Sequence, residues 1–316
     1  MGTGSVKERR MTMKKFTKIC RKEKMELKGW LEKLLKAKYG EVINEDGFLY
    51  AKGNVPILLT AHMDTVHKEK CRDIVIEKHE NMTILSSPQG IGGDDRCGVW
   101  IIWMILTKTK YRPTILFCED EEIGGVGSNK FVKTKYIDDL KEMKYLVELD
   151  RANDNDAVYY DCGNQAFKRY IKETIGYVEA YGSFSDISHL SPECDVASVN
   201  LSCGYYNAHT LKEYVIYEEM FNTFKAVKVL LSKANDAKNY DYKEVTWYDD
   251  RYSWFDDYFP SRKSESDWYE IYFNGEDGMD CEVVQGTSYE EAIGMFLIMR
   301  PELRYGDIVD VLENAG

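Results

Sequence analysis

Residues 56–64, with the sequence PILLTAHMD, join a short apolar run to a histidine and an aspartate. The run at 56–61 has the length and composition of a buried β-strand. Similar runs follow at residues 114–118, 145–149 and 197–201. Between them, residues 98–107 are apolar on nearly all sides, which is typical of a helix buried against a sheet. Strands that alternate with helices predict an α/β fold in which helices flank a mainly parallel central sheet.

The flanking segments predict further elements. A helical pattern ends near Gly40, two short strands flank the turn at residues 45–47, and a helix is expected over residues 217–234. A small α+β unit follows, whose predicted elements are strands at 268–273 and 281–285, a helix starting at Ser288 and ending before Pro301, and a strand at 308–312. The predicted parts are an α/β domain over residues 1–234, an acidic aromatic connector over 235–264, and a ββαβ module of unknown role over 265–316.

Composition limits the classes of partner. The formal net charge of −12 argues against nucleic acid as the main partner, and the basic stretch at residues 7–38 is interpreted as a solvated helix face. No apolar run approaches the roughly 20 residues that span a bilayer, so no membrane association is expected. The first residues lack a secretory signal, which predicts a cytoplasmic protein. The eight cysteines are scattered singly and are expected to be free thiols, most of them buried.

Acidic and histidine side chains follow the predicted strands. In open α/β sheets, functional sites form at the carboxyl ends of the strands, so we expect these side chains to lie close together. The residues in such positions are His62, Asp64, Asp94, Asp95, Glu119, Asp120, Glu121, Glu122, Asp150 and His209. Asp94 and Asp95 follow a glycine-rich turn at residues 90–93.

This set of donors suits a pair of divalent ions. Carboxylate and imidazole ligands without thiolate are typical of catalytic zinc sites that keep open positions. One carboxylate that bridges two ions would hold them at the short separation that two-metal hydrolysis needs. The sequence therefore predicts two divalent metal ions, with zinc favoured over cobalt or manganese.

Five segments together resemble the successive motifs of the dinuclear zinc exopeptidase superfamily. They are HMDTVH (62–67), GGDDRCG (92–98), EDEEIGG (119–125), ELD (148–150) and NAHTLKEYV (207–215). This superfamily includes aminopeptidases, tripeptidases and zinc carboxypeptidases. All five occur in the family's order, so the resemblance implies a metal-dependent hydrolase that cleaves a peptide bond.

The resemblance also implies individual roles. It gives two ligand sets that share one aspartate: His62, Asp94 and Asp150 for one ion, and Asp94, Glu122 and His209 for the other. Glu121 resembles the family's general base, which takes a proton from the attacking water and passes it to the leaving amine. Asp64 resembles the carboxylate that orients the imidazole of His62.

Some residues keep two interpretations. Asp95 could replace Asp94 as a ligand, although the family's motif assigns the first aspartate of the pair. His67 either lines the pocket or lies at the surface. His79 and His189 are expected to be structural or exposed.

The chain resembles a bare catalytic core. Residues 63–93 and 151–208 leave no room for the domains that relatives insert there, so residues 1–234 are predicted to form a peptidase-like domain without a lid. An aminopeptidase or dipeptidase is favoured, with Glu119, Asp120 or Asp154 as partners for the substrate's ammonium group. The alternatives are an N-acyl amino acid deacylase and an inactive binding protein of the same fold. A small peptide or N-acyl amino acid is the expected substrate. The sequence is compatible with a homo-oligomer but does not decide the oligomeric state.

Overall fold

The structure, a computed structural model, describes residues 6–245, 267–275, 278–286 and 308–314, together with residues 292, 293, 296, 300 and 303. Two compact units divide the chain. One comprises Met1–Ala180 and Ser185–Val245, and the other comprises Tyr181–Phe184 and Thr246–Gly316. Most of the predicted acidic aromatic connector, residues 246–264, lies outside the described residues.

The described elements of the first unit alternate between strands and helices. In chain order they are α1 (Val6–Cys20), α2 (Lys24–Tyr39), β1 (Ile43–Glu45), β2 (Phe48–Ala51), β3 (Val55–His62), β4 (Val75–Lys78), β5 (Thr83–Ser86), α3 (Gly93–Lys108), β6 (Pro113–Cys118), α4 (Val126–Phe131), α5 (Ile137–Leu140), β7 (Tyr145–Arg151), β8 (Asp156–Val158), α6 (Gln165–Ile175), β9 (Val178–Ala180), α7 (Asp186–Cys194), β10 (Ser198–Ser202), β11 (Tyr205–Tyr206), β12 (Tyr214–Ile216) and α8 (Tyr217–Lys233).

The large sheet has eight strands in the order β1-β2-β6-β3-β7-β10-β8-β9. Its centre, β6-β3-β7-β10, is parallel throughout, and β2 pairs antiparallel with β6. The four central strands are those that the apolar runs predict, and the α/β fold with a mainly parallel sheet is confirmed. Because parallel strands end at the same edge of a sheet, the residues that follow β3, β6 and β7 come together there.

Helix α3 is buried and begins at this edge. Trp100 is 0 % exposed, and its Nε1 donates a hydrogen bond to the carbonyl of Thr12 in α1 at 3.0 Å. Asp94 and Asp95 have non-helical backbone angles, and the Asp95 carboxylate caps the regular helix that follows by accepting a hydrogen bond from the backbone N–H of Gly98 at 2.8 Å. The peptide bond between Asp94 and Asp95 is cis.

A second sheet of the first unit has the order β11-β12-β5-β4 and is antiparallel. The sequence does not predict it, since its strands are only two to four residues long and every residue of β4 is exposed. No alternation of apolar and polar residues therefore marks β4. The sheet matters for the site because the segment carrying His209 lies between β11 and β12.

Residues 235–245 also belong to the first unit. Ala237 and Tyr240 are buried in its core. Backbone bridges pair Val196 with Asp241 and Cys162 with Glu244. The start of the predicted connector is therefore packed against the α/β domain.

The second unit contains a three-stranded antiparallel sheet. Its strands are β13 (Asp267–Gly275), β14 (Gly278–Gly286) and β15 (Ile308–Asn314), in the order β14-β13-β15. The three predicted strands are present, and the ring of Phe296 lies 4.9 Å from that of Phe273. The predicted helix start at Ser288 lies outside the described residues.

The cysteines and the helices bear on two further predictions, free thiols and no membrane association. All eight cysteines are free thiols, and seven of them are buried, as the sequence predicts. No helix in the described part of the chain is long and apolar enough to cross a membrane.

Candidate metal centre

The first group of donor atoms forms around His62, the last residue of β3. The imidazole is 0 % exposed, and its Nε2 lies 2.9 Å from Asp94 Oδ1 and 3.3 Å from Asp150 Oδ1. Asp94 lies in the first turn of α3, and Asp150 follows the buried part of β7. Three ligand atoms from three elements therefore lie within 4.8 Å of one another.

The second group shares Asp94 with the first. His209 Nε2 lies 3.2 Å from Asp94 Oδ2 and 3.0 Å from Glu122 Oε2. Asp94 thus directs one carboxylate oxygen towards each histidine, and these three ligand atoms also lie within 4.8 Å of one another. This is the arrangement of a carboxylate that bridges two cations.

The donor set fits divalent metal ions. Three carboxylates and two imidazoles crowd together, and Glu122 Oε1 is buried without a hydrogen-bond partner among the described residues. A buried polar atom of this kind requires a compensating interaction. The absence of cysteine from both groups matches the nitrogen and oxygen ligands of catalytic zinc sites.

The electrostatics of the group reflect this crowding. Hydrogen bonds to Asp94 and Glu122 raise the pKa of His209 to about 11. Burial acts to lower the pKa of His62, but the carboxylates of Asp150, Asp64 and Asp94 outweigh it and hold that pKa well above its usual range. Burial raises the pKa of Asp150 to about 7. Without metal, both imidazoles therefore hold protons that a cation would replace.

Glu121 lies beside both groups without belonging to either. Its Oε2 is 4.0 Å from His62 Nε2. Burial, together with the charges of Asp150 and Asp186, raises the pKa of Glu121 to about 10. A carboxylate that is close to the donors but outside both groups is free to exchange a proton.

Asp64 joins two of the loops that form the site. Its two carboxylate oxygens accept hydrogen bonds from the backbone N–H groups of Glu121 at 3.3 Å and Glu122 at 3.2 Å. Its Oδ1 also lies 3.4 Å from His62 Nδ1. Burial raises the pKa of Asp64, but its interaction with His62 outweighs burial and holds that pKa at about 2. An ionised Asp64 can therefore orient both His62 and the loop that carries Glu121 and Glu122.

Asp95 has a different environment from Asp94. It is 0 % exposed, and its carboxylate accepts hydrogen bonds from the backbone N–H groups of His62 at 3.2 Å and Gly98 at 2.8 Å. It belongs to neither donor group. Of the two interpretations of this pair, the geometry therefore favours Asp94 as the ligand.

The remaining histidines have separate surroundings. His67 Nε2 lies 2.8 Å from Glu213 Oε2, so His67 neither points into open solvent nor joins the donor groups. His79 is exposed, and His189 contacts Ser128 and Asn129. The sequence analysis did not single out Glu213. Its only signal was its place in the segment NAHTLKEYV.

Two of the proposed partners for a substrate ammonium group are already paired. Lys28 Nζ of α2 lies 2.5 Å from Glu119 Oε2, and both side chains are buried. Lys24 Nζ lies 2.5 Å from Asp120 Oδ1. Both carboxylates therefore already have a cationic partner, and their contact with the substrate's amine stays a prediction. The basic stretch is also more than a solvated face, since these lysines hold the loop that carries Glu121 and Glu122.

Comparison with known families agrees with this geometry. Residues 49–188 match the model of Peptidase family M28. The matched span contains every predicted site residue except His209, which follows it. The resemblance to the dinuclear zinc exopeptidase superfamily is confirmed, and the chain is a metal-dependent peptidase.

Solved structures of peptidases share the fold of this chain over about 70 % of its length. An aminopeptidase, PepT, from Bacillus cereus has 16 % identity and a TM-score of 0.54, and the match covers 72 % of this chain and 99 % of that one. A tripeptidase from Staphylococcus aureus has 12 % identity and a TM-score of 0.57, with the same coverages. The Pyrococcus horikoshii TET1 peptidase, which can assemble into a tetrahedron or a large octahedral shell, has 12 % identity and a TM-score of 0.53 over 71 % of this chain and 99 % of that one. No curated protein matches the sequence.

Proposed function

We propose that this chain is an aminopeptidase that removes the first residue of a short peptide at a pair of zinc ions. The observation that carries the proposal is the placement of Asp94, whose two carboxylate oxygens face His62 and His209. Asp150 would complete the ligands of one ion, and Glu122 those of the other. When bound, two such ions lower the pKa of water and polarise the scissile carbonyl.

Glu121 supplies the proton transfer in this proposal. Its carboxylate takes a proton from the attacking water at Oε2 and delivers it to the nitrogen of the leaving amine. The backbone N–H of Glu121 donates to Asp64, which holds the loop next to His62. Metal ions that replace the protons of the two imidazoles add positive charge beside Glu121. This charge lowers the pKa of Glu121 and favours the ionised carboxylate that a base requires.

Exposed apolar side chains on the loops that carry the site residues suggest the kind of substrate. Val66, Ile123 and Leu211 are 39 %, 72 % and 67 % exposed, and each lies on a loop that carries a site residue. Exposed apolar side chains beside a polar centre favour an apolar side chain in the substrate. Asp154 is exposed and remains the candidate partner for the substrate's ammonium group. We therefore expect peptides with an apolar first residue to be preferred over those with an acidic one.

An N-acyl amino acid deacylase is the alternative, because the same donors and base would cleave any amide bond. An inactive binding protein is disfavoured, since Glu121 lies 4.0 Å from His62 Nε2 in the position that a base needs. A homo-oligomer and a cytoplasmic location remain part of the proposal. The assembly of the TET1 peptidase supports the former, and the free cysteines support the latter.

One experiment tests the proposal and separates it from the alternatives. Protein purified without chelator is analysed for metal and assayed on leucyl, alanyl and glutamyl peptides, each with a free or an acetylated amino terminus. We expect about two divalent ions per chain and hydrolysis of the free-amine peptides, fastest for leucine. Hydrolysis of the acetylated peptides alone would establish the deacylase. A metal-loaded protein that cleaves neither series would leave only the binding protein.

A further inference from the structure

A buried carboxylate holds the turn that presents Asp94. Glu213 is 0 % exposed, and its Oε1 accepts a hydrogen bond from the backbone N–H of Asp94 at 3.0 Å. Its Oε2 accepts one from the backbone N–H of Gly92 at 2.8 Å and lies 2.8 Å from His67 Nε2. Burying a carboxylate is costly unless its oxygens are bonded, and these three contacts satisfy that requirement.

The turn itself is shaped to fit these side chains. Gly92 has a φ of 66°, in the left-handed region that favours glycine. A Cβ added at Gly90 would lie 2.2 Å from His67 Nδ1, and one at Gly93 would lie 2.7 Å from Tyr205 Cβ and 3.2 Å from Glu213 Oε1. Only glycine permits such a close approach at Gly90. The turn therefore packs tightly against its neighbours, and among them Glu213 also bonds its backbone.

The segment that ends in Glu213 also carries His209. A backbone hydrogen bond runs from the N–H of Glu213 to the carbonyl of Thr210 at 3.2 Å, and the N–H of Lys212 donates to Thr210 Oγ1 at 3.1 Å. These bonds fold residues 209–213 into a compact turn. One end of this turn provides His209, and the other end holds the backbone of Asp94.

We propose that Glu213 is a positioning residue that sets the distance between Asp94 and His209, which is 3.2 Å between Asp94 Oδ2 and His209 Nε2. Glu213 belongs to neither donor group, and acts through the shared aspartate on the group completed by Glu122. The inference rests on the proposed function, because it requires that this group binds a metal ion. His67 supports the carboxylate from its other side.

The test replaces Glu213 with glutamine and follows cobalt binding to the metal-free full-length protein by visible absorbance. Glutamine replaces one of the two accepting oxygens with an NH2 donor, so Glu213→Gln loses the present bond from either Asp94 or Gly92. We expect one Co²⁺ to bind about 10-fold or more weakly than in the wild type, as is common when a partner of a ligand is removed. At fixed metal, kcat should fall while KM changes little, and excess cobalt should restore kcat.

A matched control separates positioning from general stability. The Glu218 carboxylate, on α8, accepts a hydrogen bond from the backbone N–H of Thr83 in β5 at 2.6 Å, and it belongs to neither donor group. Glu218→Gln should lower the melting temperature without changing the cobalt titration. If Glu213→Gln does not fold, Glu213→Asp replaces it, since aspartate keeps the charge but is too short to reach both amides.

The outcomes are distinguishable. A folded Glu213 variant with the wild-type cobalt titration and kcat would overturn the inference and leave the proposed function intact. A wild-type protein that binds fewer than two cobalt ions would overturn the proposed function itself. Weaker binding in the Glu213 variant, but not in Glu218→Gln, would support the positioning role.

Discussion

At the scale of single residues, the shared carboxylate of Asp94 decides how the site works. Its backbone is held by Glu213, and its side chain contacts both histidines. Every other donor belongs to only one group. A change at Asp94 would therefore affect both groups, whereas changes at Glu122 or Asp150 would affect one.

Glu121→Gln should abolish turnover while leaving metal content nearly intact. The variant removes the proton acceptor but no ligand, and general acid–base catalysis contributes about 100-fold or more to the rate. Elemental analysis and kcat on a leucyl peptide measure the two effects. Glu193→Gln, at an exposed position, serves as the control. A kcat near that of the wild type would exclude Glu121 as the base.

Metal binding to the metal-free protein should release protons and tighten as the pH rises. The pKa of His209 is raised to about 11 and that of His62 well above its usual range, so both imidazoles are protonated at neutral pH without metal. Metal ions bind the neutral imidazole and must displace these protons. Affinity should therefore keep rising with pH through neutrality and up to about pH 11, where His209 loses its proton without help from a metal ion.

Calorimetric titration in buffers of different ionisation enthalpy counts the released protons. His79→Ala, at an exposed histidine, should release as many as the wild type. Binding without proton release would contradict the assignment of His62 and His209 as ligands.

The sequence predicted the residues of the two donor groups, but not the residue that positions one of them. Each of His62, Glu122 and Asp150 closely follows a predicted strand, so chain order alone brings them to one edge of the sheet. Glu213 carries no such signal, because its role depends on contacts with Gly92 and Asp94, which are remote in sequence. Only the folded chain shows that these residues meet.

At the scale of secondary structure elements, helix α2 stabilises the loop that carries Glu121 and Glu122. Lys28 Nζ contacts Glu119 Oε2 at 2.5 Å and the carbonyl of Glu45 at 2.7 Å. The long apolar runs predicted the central strands, whereas the short strands β4, β5, β11 and β12 were missed. Strands of this length are defined by pairing with their neighbours, and pairing cannot be derived from local periodicity.

Lys28→Met should destabilise the protein by about 3–5 kcal/mol, because it leaves the buried carboxylate of Glu119 without its cation. The double variant Lys28→Met with Glu119→Gln should recover most of this loss, since no charge is then left buried. Urea unfolding measures the free energy of unfolding of each variant.

Lys36→Met is the matched control in the same helix. Lys36 pairs with Glu32 at the surface, where its side chain is 55 % exposed, and exposed pairs contribute little. A loss for Lys28→Met no larger than that for Lys36→Met would show that the buried pair does not stabilise the loop.

At the scale of the whole molecule, all the donor residues belong to the first unit, and the second unit has a separate core. The buried residues of the second unit include Ile271, Phe273 and Phe296. The division predicted from sequence placed the end of the α/β domain at residue 234. The described chain continues in this unit to Val245, because Tyr240 is buried among the rings of Tyr145, Phe167 and Tyr170. A single tyrosine in an acidic segment gives no local sign of such burial.

Truncation after residue 245 should therefore preserve metal binding, whereas truncation after residue 234 should destabilise the first unit. The shorter chain loses the ring of Tyr240 and the hydrogen bond from the backbone N–H of Ala197 to the carbonyl of Tyr240 at 2.8 Å. Burial of a large side chain contributes about 2 kcal/mol, so the melting temperature should fall by roughly 5 °C or more. Tyr240→Ala in the full-length chain should reproduce much of this fall. Equal melting temperatures and cobalt titrations for the two truncated chains would place the boundary at residue 234 and leave residues 235–245 without a role in the unit that holds the metal centre.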